Sequence, residues 1–168
     1  MSMSGGNNLS NHSGGHSERR PHGTGASRWQ VDLTIDSNFS TGFREAQRQI
    51  LTRVESLNYS HDVEYAIRLA LEEALINAIK HGNRLDPSKK VHVCANVTPQ
   101  QVEIEIEDQG PGFERSSVPD PTQDANLEKN SGRGILLMET FMSRVDWTKG
   151  GRRVRMTRKN DAAHRATA

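Results

Sequence analysis

Apolar and polar residues alternate across residues 29–35, with Trp29, Val31, Leu33 and Ile35 interleaved by Gln30, Asp32 and Thr34. A period of two predicts a half-buried strand. From residues 41 to 57 the spacing becomes helical, through Phe43, Ala46, Ile50 and Val54. After a break at residues 58–60, Ser60 is placed to cap a long second helix. Asp62 and Glu64 then lie in its first turn, where the helix dipole favours acid. Its apolar stripe runs through Val63, Ile67, Ala70, Leu71, Ala74 and Ala78. The helix is expected to end near His81, before Gly82 and Asn83, with Pro87 beyond.

Alternation returns at residues 91–97 and 102–106, joined by a short link at Pro99 and Gln100, which predicts an antiparallel hairpin. Residues 109–130 are rich in Pro, Asp, Ser and Gly and nearly free of large apolar side chains, as in a lid or binding loop. A further apolar helix over 135–142 follows Gly132 and Gly134. Residues 145–149 and 153–158 read as a closing hairpin around Gly150 and Gly151. Parallel βαβ repetition is absent. The order predicts an α+β sandwich of the α/β class, one mostly antiparallel sheet of about five strands covered on one face by three helices.

Composition changes the picture at the ends. The hydrophobic fraction of 33% is low for 168 residues. The deficit lies in residues 1–27, mostly Gly, Ser, Asn, His and Arg, which cannot bury enough apolar surface to offset their ordering entropy. The chain thus divides into a disordered tail (1–27), one domain (28–159) and a polar C-terminal tail (160–168). The N-terminal segment lacks the apolar run of a signal peptide, and no stretch reaches about 18 apolar residues. Cys94 is the only cysteine, so no intrachain disulfide can form. These features point to a cytoplasmic protein without a membrane anchor. The net charge of +1 gives no general reason to expect nucleic acid as a partner. The basic cluster of Arg152, Arg153, Arg155, Arg158 and Lys159 reads as the solvated face of an edge strand. His12, His16 and His22 have no convincing metal-ligand spacing.

Three features break the folding pattern. Asp108 continues the inward register of Val102, Ile104 and Ile106, although the other face of that strand already carries acid at Glu103, Glu105 and Glu107. A carboxylate on a core face is costly unless donors satisfy it. Gly110 and Gly112 follow, and the segment on its own also suits a turn capped by its Asp. Asn77 lies four residues after Glu73 and four before His81, so the three stack along one helix edge beside Ala70 and Ala74. Ser131–Gly134 puts glycines before a helix, where free backbone N–H groups favour an anion. It is neither a P-loop nor a Rossmann fingerprint.

Together, in this order, the three segments resemble the GHKL ATPase superfamily, whose Bergerat ATP-binding fold is shared by histidine kinases, gyrase-type topoisomerases and Hsp90 chaperones. EEALINAIKHGN (72–83) resembles its N-box, IEDQGPGF (106–113) its first glycine box, and SGRGILLMETFMSRVDW (131–147) its second. The similarity runs over about residues 29–159 and is greatest to the small anti-sigma factors that are also serine kinases. Length agrees with that choice: the larger members carry further domains, and a histidine kinase carries a phosphoacceptor hairpin before this domain.

The resemblance implies ATP and Mg²⁺ as cofactors. It gives Asn77 the Mg²⁺ ligand, Glu73 the general base toward a serine hydroxyl, and Asp108 the acceptor from the adenine amino group. Gly110 and Gly112 let the purine approach. Gly132 and Gly134 offer N–H groups to the phosphates, and Arg133 either adds charge there or sits in solvent. Many relatives place a Thr near the start of the last strand, where this chain has Gly151-Arg152-Arg153, so Thr157 receives no role. His81 is read as structural. The implied partners are an anti-anti-sigma-type protein, which is phosphorylated, and a sigma factor, which is sequestered; homodimers are usual in the family. The alternatives are a non-catalytic module that uses ATP to hold a partner, or a kinase for a signalling partner unrelated to sigma factors.

Overall fold

The structure is a computed structural model, and it describes residues 29–114 and 133–160. Strand β1 (Trp29–Asp36) leads into helix α1 (Thr41–Glu55) and helix α2 (His61–Ile76). A π-helical segment, Asn77–Gly82, continues α2 without interruption. Strands β2 (Lys90–Val97) and β3 (Gln101–Glu107) form the first hairpin. Helix α3 (Arg133–Phe141) precedes the second, β4 (Arg144–Thr148) and β5 (Arg153–Lys159). The order in the sheet is β1-β2-β3-β5-β4, and every pairing is antiparallel. This is the expected α+β sandwich.

The two periodicities account for the layers. Val91, Val93, Ala95 and Val97 of β2 and Val102, Ile104 and Ile106 of β3 are buried, and the residues between them are half-buried on the opposite face. The helices cover the first face with Ala46, Ile50 and Val54 from α1 and Val63, Ile67, Ala70, Leu71 and Ala74 from α2. Ser60 caps α2 as expected, its hydroxyl accepting from Val63 N–H at 3.4 Å. Helix α3 begins earlier than the apolar spacing indicates, so Gly134 lies inside its first turn.

The basic cluster requires a correction. Strand β5 is an interior strand, held between β3 and β4, and β4 is the edge. In register, Glu107 faces Arg153 and Glu105 faces Arg155. Arg153 bridges Glu105 and Glu107, and Arg155 pairs with Glu105 at 2.6 Å. The arginines therefore neutralise the acid on the open face of β3, a cross-strand pairing that separate segments of sequence do not announce.

Asn83, read from sequence as part of a helix stop, is fully buried and ties three elements together. Its Nδ2 donates to Lys90 O at 2.9 Å, at the start of β2. Its Oδ1 accepts from Gln109 N at 2.8 Å, just past β3. Removing the amide leaves two main-chain groups without their partner, each at about 1–3 kcal/mol where water does not replace it. Asn83→Ala is accordingly expected to destabilise the domain by about 2 kcal/mol or more in urea unfolding; a loss below about 0.5 kcal/mol would show that water replaces the amide.

The expected tails, and the expected lid beyond residue 114, fall outside the described residues. Among the described residues no helix is long and apolar enough to cross a membrane.

Candidate functional site

A cleft of about 450 Å³ opens where the end of α2, the π-helical segment, the C-terminal end of β3, the start of α3 and the β4–β5 turn converge. The volume lies within the roughly 300–1,000 Å³ of small-molecule sites. Glu73, Asn77, Asp108, Gly112 and Gly134 all line it. Residues spread over 62 positions of sequence thus meet around one space. Gly110 sits just behind the wall, against Gly82 and Asp108. Arg133 does not line the cleft, and Gly132 lies outside the described residues.

Asp108 occupies the buried register position that its place after Ile106 requires. Its N–H donates to Arg152 O at 3.0 Å, which continues the β3–β5 ladder. Its Oδ1 accepts from Gly110 N–H at 2.7 Å. Burial pushes its carboxyl above the usual range, opposed by that hydrogen bond and by the charge of Arg152. Among the described residues nothing donates to Oδ2. The site thus holds a buried acceptor with one oxygen unspent, on a residue that lines the cleft.

Glycines keep that carboxylate in place. A side chain at residue 82 would fall on the Asp108 carboxylate, and one at residue 110 would strike the Gly82 carbonyl. Gly112 has φ +80° and lies against Gly150 O, so it meets both reasons for glycine at once, a left-handed backbone and close approach. Gly82→Ala is expected to cost about 1–3 kcal/mol through overpacking and, on the resemblance's assignment of Asp108 to the nucleotide, to weaken binding of the implied Mg-ATP roughly tenfold or more by displacing Asp108. Unfolding and calorimetric titration read the two effects separately, and an unchanged affinity would show that Asp108 does not contribute.

Glu73 and Asn77 lie one turn apart at the other end of the cleft. The Glu73 carboxylate packs against Gly134, and a Cβ there would push it aside. Burial, with the neighbouring Glu72 second, raises its pKa above the usual range. The Nδ2 of Asn77 is buried and has no hydrogen-bond partner among the described residues. An orphaned buried amide is costly in a purely structural role. Asn77 is also the first residue of the π-helical segment, where Asn83 N–H bonds Ala78 O at 2.8 Å, five residues back. Such wide turns often mark functional positions. Sequence spacing predicts Glu73, Asn77 and His81 on one edge, but the π turn alters the step beyond Asn77. His81 is exposed and lines the cleft beside Lys80.

Sequence reasoning missed further residues of the cleft. Phe113 and Trp147 meet edge to face at 4.9 Å, and Trp147 Nε1 is buried without a partner among the described residues. Gly151, at φ +84°, lies against the Phe113 backbone. Arg152 lines the cleft and adds positive charge at its rim. The unpaired Trp and the second glycine pair at Gly150–Gly151 were the available signals, and both are weak without the partner strand.

Comparison with known proteins decides the family. Residues 42–158 match the family described as histidine kinase-like ATPase domain. The chain belongs to that family. Among curated proteins, this ATPase domain is 39% identical over 83 residues to an anti-sigma F factor of Clostridium perfringens, a match covering 48% of this chain and 59% of that protein. It is 34% identical over 96 residues to an anti-sigma F factor of Anoxybacillus flavithermus, covering 55% and 65%. It is 32% identical over 97 residues to the serine-protein kinase RsbW of Bacillus licheniformis, covering 53% and 59%. The matches thus span about three fifths of those relatives' own length. The crystal structure of the RsbU and RsbW domains of a Mycobacterium tuberculosis protein superimposes with a TM-score of 0.53 over 78% of this chain and 32% of that one, at 17% identity, and shows the shared fold.

Proposed function

We propose that this ATPase domain is an anti-sigma regulator that phosphorylates a serine on an anti-anti-sigma partner and sequesters a sigma factor when that partner is absent. Relatives that carry the names anti-sigma factor and serine-protein kinase support the regulatory half of the reading. One observation carries the catalytic half: a half-buried carboxylate, Glu73, is held one turn from an amide with unspent bonding capacity, Asn77, against the first turn of α3.

The residues suit Mg-ATP. Asp108 offers a carboxylate oxygen with no donor among the described residues, as an adenine amino group needs. Gly112 lets a flat ring approach, and Phe113 and Trp147 supply apolar surface nearby. The Asn77 amide can present its oxygen by a half-turn, and amide oxygen is a hard ligand suited to Mg²⁺. The N-terminal turn of α3, with Gly134, offers N–H groups and positive dipole to phosphate. Lys80 and Arg152 add charge at the rim. When bound, Mg-ATP supplies the phosphoryl group and the metal that neutralises its charge.

Glu73 then accepts the proton of the incoming serine hydroxyl at its carboxylate. A pKa raised by burial brings a base closer to neutrality, which favours proton transfer. The same residue argues against a non-catalytic binder, because holding nucleotide needs Asn77 and Asp108 but no base. A kinase acting on a partner unrelated to sigma factors would use the same site. The test uses the protein with radiolabelled ATP and a panel of small anti-anti-sigma-type domains. Label transferred to a serine of one of them is the expected result. Binding of ATP and partner without transfer would leave the non-catalytic reading instead.

A further inference from the structure

On the open face of the sheet, away from the cleft, three metal-ligating side chains converge. His92 Nε2 lies 2.6 Å from Asp32 Oδ1 and 3.7 Å from Cys94 Sγ. The donor atoms of all three lie within 4.8 Å of one another. We propose that Asp32, His92 and Cys94 form a three-ligand site for a zinc-class divalent ion, with the fourth position left to water.

The sheet builds the cluster. Asp32 and Cys94 are directly opposite in the β1–β2 register, and His92 is two residues from Cys94 on the same face. The Asp32 carboxylate approaches Nε2, and the Cys94 sulfur lies 3.7 Å from Nε2 and 3.9 Å from Nδ1. One donor atom from each of the three side chains thus falls within 4.8 Å of the others. Ligands at about 2.0–2.3 Å from a tetrahedral zinc lie about 3.3–3.7 Å apart. The sulfur–nitrogen separation already matches. The Asp32–His92 separation has to open by under about 1 Å, within reach of an exposed Asp side chain.

The surroundings leave these three groups available. Glu105 and Glu107, opposite Cys94 and His92 on β3, are taken up by Arg153, Arg155 and Lys149. Lys90 is paired with Asp36. Thiolate, imidazole and carboxylate together select a borderline ion such as zinc over Mg²⁺, which prefers oxygen donors alone. Thus the site does not compete with Asn77 for the same metal. A bound ion would tie β1 to β2. Without metal, burial first and then the Asp32 carboxylate push the Cys94 thiol pKa upward. Binding forms the zinc–sulfur bond, breaks the S–H bond and releases the proton to solvent.

Cobalt(II) titration of the metal-free full chain tests the site. One equivalent is expected to give thiolate-to-cobalt charge-transfer absorption, which zinc then abolishes, with proton release on zinc binding. Cys94→Ser should remove the band, and Cys94→Ser and His92→Gln should each weaken zinc binding about tenfold or more. Equal melting curves in chelator would show that both variants fold. The tail histidines His12, His16 and His22 offer the competing source of binding. Zinc affinity unchanged in both variants, or cobalt binding without a thiolate band, would overturn the proposal. One variant that fails to fold leaves the other to decide.

Discussion

Glu73→Gln is expected to lower serine phosphorylation by about 10²- to 10⁴-fold while Mg-ATP affinity stays near that of the unsubstituted protein. Glutamine keeps the shape that fits against Gly134 and keeps a hydrogen-bonding oxygen, but it cannot take a proton. Ground-state binding gains nothing from a carboxylate close to phosphate, so affinity has no reason to fall. The environment makes the substitution mild for the fold. Burial raises the Glu73 pKa, which means that the ionised form is disfavoured in the folded protein. A neutral amide relieves that cost, and stability at neutral pH should hold or rise slightly. Asn77→Ala provides the contrast, because it should lose Mg-ATP affinity together with activity. Single-turnover transfer from radiolabelled ATP, alongside calorimetric titration, separates the two. Transfer at the unsubstituted rate by Glu73→Gln would remove Glu73 as the base, even if the protein remains a kinase.

Asp108→Asn is expected to abolish the stabilisation that nucleotide gives. Mg-ATP at about 100 times its dissociation constant should add about 2.7 kcal/mol to the unsubstituted domain, a melting shift of several degrees. The asparagine can still accept from Gly110 N–H, so the turn survives. Its second atom becomes a donor, which faces the donor of an adenine amino group and repels it. The nucleotide-free variant should meanwhile be at least as stable as the unsubstituted protein. The sign follows from linkage. Burial raises the folded-state pKa of Asp108 above its unfolded value, so the unfolded chain ionises first as pH rises. The unsubstituted protein therefore loses stability between the usual aspartate range and that raised value, and the asparagine variant does not. The gap in favour of Asp108→Asn should open with rising pH across the acid range. Melting curves with and without Mg-ATP over that range read both effects. An equal nucleotide shift in the variant would show that Asp108 does not receive the base, and a gap closing with pH would contradict a buried, destabilised carboxylate.

Both residues were legible because they violate local rules. Asp108 holds a buried register position on a strand whose exposed positions were already acidic, and Asn77 lies on the apolar edge of a helix with Glu73 one turn before it. Such conflicts between local pattern and residue type tend to mark function. Strand and helix periods also predicted the element order, the hairpins and the layer arrangement. Pattern fails where a neighbour from elsewhere in the chain decides the outcome. Arg153 and Arg155 look like the solvated charge of an edge strand until β3 is placed beside them, where Glu105 and Glu107 claim them. Asn83 looks like a helix stop until Lys90 and Gln109 arrive to spend its amide. The approach of Gly82 to Asp108 joins two segments that nothing in the intervening sequence links.

What the sequence by itself determined is therefore the set of elements, the faces they bury and the residue types that the cleft requires. Periodicity is a local property, and each strand or helix reveals its buried side before it meets a partner. Only the tertiary structure decided the strand order, with β5 inside β4. It also decided the π-helical step that carries Asn77, and the meeting of Glu73 with Gly134 across α2 and α3. The convergence of Asp32, His92 and Cys94 on the opposite face has the same origin, since a register between strands some 60 residues apart is set by the pairing of whole strands rather than by either one.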